Sequence, residues 1–175
     1  SLIETSFMAP VFLFFFAYGT LLWFYSHKLS KIVLIRELTA SFLTVLAFFS
    51  LTIYFKTLPL SFFLYGMNLF FVLFAREIYK DIIWLKGDVI QGYESIATKA
   101  GLETSRRIFQ VILISSIIVD GVFLWVHTKP ELFYMLGSIA ILKTIMLILI
   151  AHNVKPIHRL LQLAILLFIV GIAWL

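Results

Sequence analysis

Two runs late in the chain, Arg106 to His127 and Glu131 to His152, each carry one ionisable side chain deep inside an otherwise apolar stretch, Asp120 in the first and Lys143 in the second. About 20 residues at 1.5 Å rise each cross the hydrocarbon core of a bilayer, so runs of this length predict membrane-spanning helices. Four more runs bounded by charge or proline precede or follow them: Met8 to Ser26, Arg36 to Phe55, Pro59 to Lys80, and Ile157 to Leu175. Pro59, Pro130 and Pro156 stand at or just before helix starts, where a missing N–H costs least. The pattern predicts an all-α fold, a polytopic transmembrane bundle of six spans, and a single domain over residues 1–175, since no repeat or linker divides the chain. Composition agrees, because a chain that is 62% hydrophobic and 13% charged has too little polar surface for a water-soluble domain of this size.

The charges fall where topology needs them. Eleven of the fourteen Lys and Arg residues lie in three alternate loops or at their borders: Lys28, Lys31 and Arg36; then Arg76, Lys80, Lys86, Lys99, Arg106 and Arg107; then Lys155 and Arg159. The opposite loops hold only Lys56 and Lys129. By the positive-inside rule the charged loops face the cytoplasm, which predicts an integral protein of a cytoplasmic or inner membrane. The net charge of +5 is spread over short loops, with no dense basic face to engage nucleic acid. The absence of cysteine excludes disulfides and thiolate metal sites, and the four histidines are not spaced as a metal pair.

One stretch is out of character: REIYKDIIWLKGD, residues 76 to 88. On a helix continuing out of the third span, Glu77, Asp81, Trp84 and Asp88 fall at i, i+4, i+7 and i+11, one stripe, with Arg76 and Lys80 beside it. Hard cations such as Mg²⁺ are commonly held by one or two carboxylates together with water and substrate phosphate, and flanking cations would take the remaining phosphate oxygens. The competing interpretation is that these are solvated interfacial charges at a helix exit, which set topology and nothing more.

The longer segment REIYKDIIWLKGDVIQGYESIATKAG, residues 76 to 101, resembles the second aspartate-rich region of the UbiA-type membrane prenyltransferases, with Arg76, Glu77, Lys80, Asp81, Gly87, Asp88, Gly92 and Gly101 in matching places. A weaker likeness covers YSHKLSKIVLIRELTASFLT, residues 25 to 44. The resemblance implies nine spans in the family, of which this chain would be the last six. It implies Mg²⁺-dependent transfer of a polyprenyl group from an allylic prenyl diphosphate to a small acceptor, lipid-soluble or aromatic. Asp81 and Asp88 would hold the metal, and Lys80, Arg76, Lys31 and Tyr25 would hold the diphosphate. The chain departs from the family's pattern at Trp84, at Ser95-Ile96-Ala97, at Ser30 and at Arg36-Glu37, and it lacks the family's first aspartate-rich motif. These departures support the alternative of a non-catalytic relative that binds an isoprenoid or a membrane partner.

Inside the spans, Asp120 and Lys143 are expected to form a structural ion pair facing the bundle interior, or the lysine to line a cavity, with the lysine stem partly closing an axial offset of roughly 9 Å. Asn68 is expected to bond to a neighbouring helix. The loop from 93 to 103, with Glu94, Lys99 and Glu103, is expected to be a solvated cap over the charged stretch.

Overall fold

The computed structural model describes residues 2–55, 60–126, 130–152 and 156–172, which contain helices and no strand. The helices are α1 (Leu2–His27), α2 (Ile35–Phe55), α3 (Leu60–Gln91), the short α4 (Ile96–Ala100), α5 (Leu102–Val126), α6 (Pro130–His152) and α7 (Ile157–Gly171), with a 3-10 turn at Leu29–Lys31 between α1 and α2. Three of the described helices are long and apolar enough to cross a membrane: α3, α5 and the Leu132–Ile150 part of α6. Helix α7 is apolar but shorter. The all-α fold expected from the sequence is therefore present, and a lipid bilayer is the surroundings that its long helices suit.

Proline placement follows the expectation where it falls within the described residues: α6 opens at Pro130, and α7 begins directly after Pro156. Pro59 lies outside the described residues. Helix α1 begins ahead of the expected Met8 and carries Pro10 inside it.

The apolar run of α3 ends near Lys80, and its helix continues past that point to Gln91, as the charged stripe on a continuing helix required. Its 32 residues are about 48 Å long, against a hydrocarbon core of roughly 30 Å, so the charged end of α3 projects past the apolar layer. Hydropathy marks where a helix leaves the lipid and not where it stops. Gly92 stops it, with φ of 65°, a conformation glycine adopts without steric cost.

Helix α3 is the hub, packing against α2, α4, α5 and α7. Its buried positions Tyr65, Asn68, Leu69, Val72, Tyr79 and Ile82 recur at helical spacing and face the interior. Between helices in lipid the hydrophobic effect contributes little, so close packing and internal hydrogen bonds must hold the bundle. The Tyr65 hydroxyl donates to the Phe168 carbonyl, its ring meets Phe168 edge-on at 5.1 Å, and α7 comes so near that a Cβ on Gly171 would collide with Met135.

One buried polar cluster ties three helices together. Lys143 Nζ on α6 donates to Asp120 Oδ2 on α5 at 2.7 Å and to Asn68 Oδ1 on α3 at 2.6 Å. Ser116 Oγ also donates to Asn68 Oδ1, at 2.8 Å, and the Asn68 amide donates to Asp120. The ion pair expected for Asp120 and Lys143 is thus formed, and Asn68 has its interhelical partners. Large apolar side chains such as Phe16, Val111, Ile118, Trp125, Ile141 and Ile148 point outward instead.

Candidate functional site

The chain order brings the C-terminal end of α1, the N-terminal end of α2 and the projecting end of α3 together. Between them lies a cleft of about 310 Å³, lined by Tyr25, Arg36, Glu77, Lys80, Asp81, Trp84, Asp88 and Tyr93. All four members of the expected stripe, Glu77, Asp81, Trp84 and Asp88, face this one space, as helical spacing requires. Of the residues anticipated from the sequence, Tyr25, Lys80, Asp81 and Asp88 meet here. Arg76 lines an adjoining pocket that shares Lys80 and Trp84 with the cleft. Lys31, on the exposed 3-10 turn, is not among the residues lining either space.

Asp81 is the anchored member. It is 3% exposed, and its Oδ2 accepts the backbone N–H of Ile96 at 3.2 Å and the Arg36 guanidinium at 3.4 Å. Burial, aided by the nearby Glu37, pushes its carboxyl up to about 6, while the Ile96 N–H, Arg36 and Lys80 oppose that rise. Its bond to Ile96 also fastens the following segment. Ser95 caps α4 with a reciprocal capping box through Thr98, and Ser95, Ile96 and Ala97 are all buried. The expected cap is therefore solvated only on its outer side, where Lys99 pairs with Glu94 at 2.6 Å and Arg106 with Glu103 at 2.9 Å.

The residues that sequence reasoning missed are Arg36, Glu37 and Tyr93. Arg36 stacks over the Tyr93 ring at 4.8 Å, donates to the Glu94 carbonyl at 3.1 Å, and is ion-paired with both Glu37 and Asp81. Glu37 is 1% exposed, with the Arg36 guanidinium against its Oε1. An arginine followed by a glutamate at the mouth of an apolar run was the only signal available, and it reads equally well as a topology marker.

The donor set fits a divalent cation in a limited way. Among the described residues no three acidic or histidine side chains converge as a self-sufficient metal cage. Asp81 and Asp88 nonetheless line one cleft beside Lys80 and Arg36, which suits a hard cation held by one or two carboxylates and completed by water and phosphate.

A third space is purely apolar. Phe42, Val45 and Phe49 of α2 and Phe63, Gly66, Met67, Phe70 and Phe71 of α3 line a groove of about 300 Å³. A Cβ on Gly66 would lie 2.5 Å from the Phe49 ring, so glycine is what lets that ring sit against α3. Comparison with known proteins returns no matching family model, no matching curated protein and no matching solved structure.

Proposed function

We propose that this chain is the greater part of an integral membrane prenyltransferase of the UbiA type, its six apolar runs all crossing the bilayer and its charged end facing the cytoplasm. The observation that carries this reading is the convergence of Tyr25, Lys80, Asp81 and Asp88 on one cleft at the end of the apolar bundle. Asp81 and Asp88 would hold Mg²⁺, and Lys80 and Arg36 would hold phosphate oxygens of an allylic prenyl diphosphate, with Tyr25 at the rim. Bound Mg²⁺ supplies neutralisation of the charge that develops on the diphosphate as the allylic C–O bond breaks. The chain's own cations add donors for that charge. The groove along α2 and α3 offers an apolar surface for a polyprenyl tail.

A second reading is favoured by Arg36. Its guanidinium already pairs with Asp81 and Glu37, so Asp81 has less need of a metal, which favours a site that binds a phosphate-bearing isoprenoid without ionising it. One assay separates the two. In membranes supplied with Mg²⁺, a labelled allylic diphosphate and a panel of small acceptors, the transferase reading expects labelled product from the wild type and none from Asp88→Ala. Turnover that survives Asp88→Ala would remove that residue from the metal site, and binding without turnover in the wild type would establish the second reading.

A further inference from the structure

We propose that the pocket between α3 and α7 is a binding site for the phosphate head of an anionic lipid, adjoining the acidic cleft and sharing Lys80 and Trp84 with it. Its volume is about 330 Å³, and it is lined by Arg76, Tyr79, Lys80, Ile83, Trp84 and His158. Two of these side chains, Arg76 and Lys80, are cations, a third is the imidazole of His158, and none is acidic. Glu77 pairs with Arg76 at 3.5 Å and with Lys80, yet it lines the cleft on the other side and not this pocket. The two basic side chains are about half exposed and share the single carboxylate of Glu77, so their positive charge exceeds the negative charge they pair with.

The pocket's level in the fold selects the ligand. Arg76 follows directly on the apolar run of α3, and His158 is the second residue of the apolar helix α7. This is the depth at which lipid phosphates lie, and basic pockets between transmembrane helices at that depth take anionic headgroups. The floor is held in place: Tyr79 is 1% exposed, hydrogen-bonded to the His158 backbone, and its ring lies 5.8 Å from that of Phe109. The rim is soft and apolar. Trp84, 63% exposed, and Ile83 give acyl chains a surface to follow away from the phosphate.

Trp84 also supplies the readout. The full chain, reconstituted in phosphatidylcholine nanodiscs, receives a few mole per cent of either brominated phosphatidic acid or brominated phosphatidylcholine, and the Trp84 signal is the part of the fluorescence lost in Trp84→Phe. The proposal expects phosphatidic acid to quench that signal in clear preference to phosphatidylcholine. Arg76→Gln should weaken the preference about fivefold, His158→Gln should weaken it less, and Arg76→Lys should restore most of it. Quenching by brominated phosphatidylcholine must stay unchanged in each variant, which shows the bundle intact. Equal quenching by the two lipids, or a preference that persists in the Arg76→Gln, His158→Gln double variant, overturns the site. Loss of the preference in millimolar glycerol phosphate would mean that the pocket takes a free phosphate, and would overturn the lipid assignment.

Discussion

Asp81 shows how one carboxylate is set by its neighbours. Burial favours its protonated form in the folded state, so its carboxyl titrates near 6 and above its ordinary value of 3.8. A folded-state value raised in this way gives stability that is fully present below the ordinary carboxylate range and is lost as pH rises through about 6. Asp81→Asn cannot titrate, so its melting temperature relative to wild type should become more favourable between pH 4.5 and 7.5. A difference that stays flat or falls across that window would show that Arg36 and Ile96, not burial, govern the group. Asp81 and Asp88 were legible in the sequence because helical spacing sets them on one stripe, Lys80 because it lies beside that stripe, and Tyr25 only through the resemblance. Arg36 and Glu37 were not, since only the folded chain sets residue 36 beside residue 81, and an isolated basic residue at the mouth of an apolar run is ordinary.

At the scale of the helices, lipid supplies no strong drive to bring α3, α5 and α6 together, so a buried polar cluster that needs all three fixes their mutual register. The sequence revealed the Asp120 and Lys143 pair because ionisable groups inside spans must find partners, and the flexible lysine stem closes the axial offset between them. It did not reveal that Asn68 and Ser116 complete the cluster, because neutral polar residues inside a span have many partners open to them. Lys143→Met leaves Asp120 buried without its cation and should cost about 3–5 kcal/mol, read as thermal or denaturant unfolding in detergent. Adding Asp120→Leu to that variant removes the stranded charge and should recover much of the loss. If the double variant is no more stable than Lys143→Met alone, the cluster acts through its hydrogen bonds to Asn68 and not through the ion pair. The helical charged stripe at the end of α3 was legible from its spacing, but its packing against α2 and α4 was not, because periodicity does not register partners distant in sequence.

For the molecule as a whole, the order of the basic residues along the sequence is what bears on orientation. Three described helices have the length and composition to cross, and six crossings follow only if α1, α2 and α7 cross as well. At 1.5 Å per residue α1 and α2 are about 39 and 31 Å long, enough for the core, whereas α7 at about 22 Å within its described bounds requires local thinning of the bilayer or a continuation beyond them. The acidic cleft, the basic pocket and eleven of the fourteen basic residues of the sequence would then share the cytoplasmic side. The chain contains no cysteine, so each one introduced is a unique label site. Thr104→Cys lies at the charged end, and Thr57→Cys and Thr128→Cys fall in sequence between the apolar runs on the opposite side, leaving Lys56 and Lys129 in place. With a membrane-impermeant maleimide, Thr57→Cys and Thr128→Cys should react in intact cells or spheroplasts, and Thr104→Cys only in inverted vesicles. Labelling of Thr128→Cys and Thr104→Cys from the same side would mean that α5 does not cross. Reversal of all three patterns would keep the crossings and move both sites to the outer face, where a cytoplasmic prenyl diphosphate could not reach them.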